Sequence, residues 1–245
     1  MLRKCLLFSL VLIMIFSLLA CGPATVKFPD PNLEAAIREA INKPEGSISP
    51  SDLEGVASLR AGQRNITNLA GLDKCSNLTD LVLASNQISN LSPLSKLTKL
   101  QKLELSKNQI KDISPLASLT RLDSVSLMFN QVSDVSPLAS LTSLTYLDLK
   151  FNRITDISPL ASLTNLTYLD LLGSPETNQI KDISALASMT KLTTVHLWNN
   201  QVSDLSPLTS LTSLRTLWIL QGNLLDANSM NVYIPQLKQR GVEVR

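Results

Sequence analysis

The chain has 245 residues, 44% of them apolar and only 4% aromatic, with 22 basic against 20 acidic residues. This is enough apolar material for one continuous core, and that core must be aliphatic. The near-balance of charge excludes the basic footprint of a nucleic-acid binder and the polybasic stretch of a protein that coats anionic lipid.

The first predicted element is a leader. Arg3 and Lys4 precede an uncharged run from Cys5 to Ala20. Its 16 residues are short for a spanning helix, which needs about 20. The run ends in Leu18-Leu19-Ala20-Cys21-Gly22, which resembles the cleavage box of bacterial lipoproteins, with Leu19 departing from the usual small residue. The resemblance implies that residues 1–20 are a signal peptide and that Cys21 carries lipid. An ordinary secretory signal or an uncleaved anchor is the alternative. Without the leader, acidic and basic residues balance at 20 each. Cys75 is then the one remaining thiol, so no disulfide framework is available, and it is expected as a small buried residue in a turn.

Residues 21–58 read as a short tether and a helical N-terminal cap. Leu33, Ala36, Ile37 and Ile41 recur at helical spacing on one face. A second short helix is expected near Ser51, with Leu53 and Val56 inward.

From Leu59 to residue 216 the chain repeats itself. The frame that begins Leu81-Val82-Leu83-Ala84-Ser85-Asn86 restarts every 22 residues, at Leu103, Val125, Leu147, Leu169, Val195 and, less regularly, Leu217. A degenerate copy starts at Leu59. The copy at Leu169 is four residues longer, through Gly173 to Thr177. Leu81 and Leu83 alternate with Val82 and Ala84, the pattern of a short strand with one face inward. Ile88, Leu91, Leu94, Leu97 and Leu100 also point inward. One turn cannot cover these side chains, so neighbouring turns must stack. Asn86, Asn108, Asn130, Asn152, Asn178 and Asn200 form a column at the sharp turn, where an amide satisfies backbone groups without strand partners. Ser-Pro, as at Ser114-Pro115, predicts a short 3₁₀ turn on the far side, with Ser as cap and Pro at its first position. Residues 217–245 complete a partial repeat and a C-terminal cap: a helix capped by Ser229 and running toward Arg240, kinked at Pro235, and a final strand at Val242 to Val244. Trp218 and Tyr233 are expected to help seal that end.

The phrase Leu-x-x-Leu-x-Leu-x-x-Asn-x-Ile-x-Asp-Ile-Ser-Pro-Leu resembles the repeat of the internalins and related bacterial surface proteins. The resemblance implies an α/β leucine-rich-repeat solenoid with a concave parallel sheet, convex 3₁₀ turns or short helices, and a helical N-terminal cap. It also implies binding of proteins through the concave face.

The outward strand positions form columns. One reads Val82, Glu104, Ser126, Asp148, Asp170, His196, Trp218, and another Ala84, Ser106, Met128, Lys150, Leu172, Trp198, Leu220. Tyr146 and Tyr168 lie just before their strands, and Phe129 and Phe151 at the exits, where they either join the surface or pack in a column of their own. Aromatics rimmed by charge mark an interface. The expected ligand site is Tyr146, Asp148, Lys150, Tyr168, Asp170, Leu172, His196, Trp198 and Trp218. The alternative is that these rings seal the C-terminal end. Asp148 and Asp170 are expected one above the other, about 5 Å apart, as solvated carboxylates, contacts for a partner's Lys or Arg, a cation site or a glycosidase-like pair. The insertion at Ser174 to Thr177 reads equally as a contact loop and as a tolerated insertion. With one histidine, no cysteine pair and no glycine-rich phosphate loop, no catalytic residue, metal site or cofactor is expected. The expected function is a lipid-anchored binding module of the bacterial envelope, monomeric, with a protein or peptide partner. A ligand-free scaffold is the alternative, and a carbohydrate-active enzyme a remote one.

Overall fold

A computed structural model describes residues 25–245; the leader and Cys21 lie outside them. Helix α1 (Pro31–Ala40) opens on Asp30, whose Oδ1 accepts from the N–H groups of Asn32 and Leu33 at 3.0 and 3.1 Å. Its buried face is Leu33, Ala36 and Ile37. The other Asp30 oxygen accepts from the N–H groups of Thr67 and Asn68, so one carboxylate both caps the helix and fastens it to the first repeat. Burial opposes ionisation of Asp30, but these N–H donors outweigh it and hold the carboxyl below its ordinary value. Helix α2 (Pro50–Leu53) starts one residue before the expected position, because Ser49 and Asp52 form a reciprocal capping box.

Nine strands follow in chain order in one parallel sheet: β1 (Ser58–Arg60), β2 (Asp80–Val82), β3 (Lys102–Glu104), β4 (Ser124–Ser126), β5 (Tyr146–Asp148), β6 (Tyr168–Asp170), β7 (Thr194–His196), β8 (Thr216–Trp218) and β9 (Glu243–Val244). The register places Leu81 against Leu103 and so on through Val195 against Leu217. The central residue of each repeat strand therefore feeds one continuous aliphatic core. Ile88, Leu91, Leu94, Leu97 and Leu100 are all buried beside them. Cys75 takes the corresponding place of Leu97 one repeat earlier; it is buried, and burial together with Asp73 pushes its thiol up to about 12.

The asparagine column is a ladder. Asn130 Nδ2 donates to the carbonyls of Leu105 and Leu127, while its Oδ1 accepts from Ile110 N–H at 3.0 Å. The same three partners recur at Asn108, Asn152 and Asn200. Asn178 keeps them despite the four-residue insertion. Asn223 continues the ladder to the last repeat, donating to Leu197 and Ile219 and accepting from Val202. Gly222 adds one residue before it, with φ 72°, so counting by the frame passes over it.

On the convex side, 3₁₀ turns begin at each Ser, as in Ser114–Ser118. The expectation that Ser caps them is corrected. The N-cap is the aliphatic residue before each Ser, such as Ile113, with no side-chain bond of its own; the acid before it, Asp112, Asp134, Asp156, Asp182 or Asp204, accepts the Ser N–H at 2.8 Å. The serine that closes each turn bonds instead to the preceding repeat, as Ser140 Oγ does to Ala117 O. At the C-terminal end a π-helical turn (Ser229–Tyr233) runs into α3 (Ile234–Gln239). Here too the serine does not cap. Ser229 is buried, its hydroxyl spans Ser203 O and Leu205 N, and its own N–H is met by Asp226.

Candidate functional site

The outward side of β5 to β8 holds a connected set of rings and charges. Register puts Tyr146 beside Tyr168, and Asp148 beside Asp170 beside His196 beside Trp218. The tyrosine rings stack with centroids 4.6 Å apart and 8° between planes. Tyr168 meets His196 edge-on at 5.5 Å, His196 stacks on Trp218 at 4.0 Å, and Trp218 stacks on Trp198 at 4.6 Å. These stacks add to area burial and fix the rings relative to one another. Tyr146, Tyr168, Trp198 and Trp218 remain half-buried, so the column presents a ring surface to solvent.

The acids beneath differ from expectation. Asp148 and Asp170 are not solvated: they are 4% and 2% exposed. Sequence period assigns a side chain to a face but not its depth; Tyr168 and His196 contact the Asp170 carboxylate, and Lys150 contacts both. Lys150 Nζ stands 3.2 Å from Asp148 Oδ2 and 3.4 Å from Asp170 Oδ2, the place a bound cation would have taken. Asp170 Oδ2 also accepts from Tyr168 OH at 3.1 Å and lies 3.0 Å from His196 Nδ1. Each Oδ1 accepts a backbone N–H two residues on, from Lys150 and Leu172.

The two carboxyls are thereby pushed apart. Burial and the neighbouring Asp170 charge raise Asp148 above its ordinary value. Burial acts on Asp170 as well, but the His196 contact, the Leu172 N–H and Lys150 outweigh it and lower Asp170. Burial and Asp170 also raise the Tyr168 phenol, so it stays protonated and can donate.

Of the expected residues, Tyr146, Asp148, Lys150, Tyr168, Asp170, His196, Trp198 and Trp218 come together. Leu172 is half-buried beside them and joins only through its backbone. Trp198 and Trp218 serve the end of the solenoid as well: Trp198 Nε1 donates to Arg245 O, and the Arg245 guanidinium lies 5.9 Å from the Trp218 ring. Arg245 carried no signal in the repeat frame. Toward the N-terminal side the same face becomes polar, with a groove of about 350 Å³ bordered by Arg60, Asp80, Lys102 and Glu104. Phe129 and Phe151 stack at 4.4 Å, but at the surface and not inward; Phe129 is 44% exposed.

Comparison with known proteins gives the lineage. Leucine-rich-repeat family models match residues 98–140, 142–188 and 190–229, and a related one matches 74–91. The crystal structure of an internalin C2 from Listeria monocytogenes aligns at 39% identity and TM-score 0.78, over 87% of this chain and 96% of that one. The chain belongs to the internalin-type leucine-rich-repeat family. An internalin F structure from the same organism aligns at 31% identity and TM-score 0.71, over 92% of this chain and 72% of that one. A Leptospira interrogans leucine-rich-repeat protein shares the fold, with 24% identity and TM-score 0.72, over 81% of this chain and 51% of that one. No curated protein matches significantly. The internalin-type frame accounts for the leucines and asparagines; it does not by itself call for the rings and acids on β5 to β8.

Proposed function

We propose that this chain is an exported, lipid-anchored binding module of the bacterial envelope that takes a protein or peptide on the concave face of β5 to β8. The observation that carries the reading is the connected ring column Tyr146–Tyr168–His196–Trp218–Trp198, held by a buried ion-paired layer beneath it. Rigid, half-exposed rings lose little conformational entropy on binding, which is why Tyr and Trp dominate binding energy at interfaces. The Asp148–Asp170 pair supports a positioning role and not catalysis: both acids are buried and ion-paired. The solenoid alone is equally compatible with a spacer, and the ring column is what favours recognition. Export and anchoring rest on the leader and Cys21; monomeric state and the absence of a cofactor are parts of the same proposal. The test is capture of partners from bacterial and host extracts by the wild-type protein and by a Tyr146→Ser, Tyr168→Ser, Trp198→Ser variant. Proteins retained by the first and lost by the second support the reading; identical capture contradicts it.

A further inference from the structure

The repeats supply their own control for what the frame requires, and at one place the chain departs from it three times. The residue before the ladder asparagine takes a left-handed backbone in five of the repeats, at Ser85, Lys107, Phe129, Phe151 and Asn199. That conformation is uncommon for a bulky side chain, yet Phe129 and Phe151 both adopt it, with φ 55°. The residue after the asparagine is Gln87, Gln109, Gln131, Gln179 and Gln201 in five repeats, but Arg153 beside Phe151 and Leu224 in the last. The four-residue insertion follows in the next repeat. Gly173 stands where Phe129 and Phe151 stand, so the ring stack ends at Phe151 with no side chain next in its column. A Cβ on Gly173 would come within 2.5 Å of the carbonyls of Asn178 and Asn199, so the inserted loop needs glycine there to fold back.

The outcome is a groove of about 560 Å³ between the Phe129–Phe151 stack and the inserted loop at Ser174 and Glu176. Arg153 lines it and is exposed, and Lys107 lies just beyond the lining residues, with Nζ 5.9 Å from the Phe129 ring centre. Among the described residues neither has an ion-pair partner. Glu176 on the opposite wall is the single acid lining the groove. We propose that this groove is a second binding surface, distinct from the concave ring column, and that it takes an acidic protein segment carrying an aromatic or aliphatic side chain. The apolar side chain packs on Phe151, and flanking carboxylates meet Lys107 and Arg153.

The experiment is selection of random peptides displayed on phage against the immobilised protein, followed by binding of the selected synthetic peptides. Selection should return sequences with Asp or Glu next to Phe, Trp or Leu, with affinity that falls as NaCl is added. A Phe129→Ser, Phe151→Ser, Arg153→Gln variant replaces each residue with one the chain already uses in the same column, so folding is preserved. It should bind these peptides at least about tenfold more weakly. The Tyr146→Ser, Tyr168→Ser, Trp198→Ser variant should bind them as the wild type does, which separates this surface from the concave site. Selection without acidic bias, or equal binding by the Phe129/Phe151/Arg153 variant, overturns the proposal.

Discussion

Asp148 and Asp170 face each other across β5 and β6 in the same register position, yet their environments drive them in opposite directions. Asp170 has Lys150, Tyr168 and His196 around Oδ2 and a backbone N–H on Oδ1. Asp148 has Lys150 and one backbone N–H. Substitution by Asn should therefore give unequal results at neutral pH. Asp170→Asn should cost about 1–3 kcal/mol, because it leaves a buried donor network without its acceptor charge. Asp148→Asn should be neutral or slightly stabilising, within about 1 kcal/mol, because it keeps the acceptor for Lys150 N–H and removes a buried charge. Urea unfolding of the two variants decides; equal losses would contradict this account.

The titration order follows from the same geometry. Asp148, with its folded pKa raised, contributes stability below its unfolded value that is lost as pH rises through the folded one. Asp170, with its folded pKa lowered, contributes stability above its unfolded value that is lost as pH falls through the folded one. Carboxyl carbon NMR should show Asp148 titrating above the ordinary 3.8 and Asp170 below it. The reverse order would show that Lys150 and His196 do not partition as described.

The ladder asparagines are predicted to be among the costliest polar positions. Asn130→Ala strands two carbonyls and one N–H in the core, each worth about 1–3 kcal/mol when unmade. The loss should exceed about 2 kcal/mol even if the three are not additive. Asn223→Ala should cost less, since that rung is only half-buried. A smaller loss at Asn130 than at Asn223 in urea unfolding would count against the ladder.

These residues also show what could be read without coordinates. The strand frame, the asparagine column to Asn200 and the two caps follow from period, turn chemistry and amphipathic spacing. Asn223 escaped because Gly222 shifts it by one residue, although a Gly-Asn pair at a repeat boundary was a usable signal. The acids that accept the Ser N–H were equally visible as a column two residues before Ser; assigning the cap to Ser put it at the wrong position. The depth of Asp148 and Asp170 was not legible. It depends on contacts from adjacent rungs, such as Lys150 and His196 on Asp170, which is a relation between repeats and not a property of one.

The proposal of a lipid on Cys21 has its own test. Cells expressing the protein should incorporate a clickable palmitate analogue into it and hold it in the membrane fraction. Cys21→Ala should abolish incorporation and release the protein. Unchanged labelling would move the acyl site elsewhere, and absence of labelling in the wild type would remove the lipoprotein reading.

The central claim is that the ring column carries recognition, and affinity for a captured partner measures it most directly. Tyr146→Ser and Tyr168→Ser, each shown by urea unfolding to remain folded, are to be compared with wild type by surface binding. A residue central to an interface contributes about 2 kcal/mol or more, so each variant should raise Kd by at least about tenfold. A Kd unchanged in both would show that the partner is held elsewhere and that these rings only close the end of the solenoid.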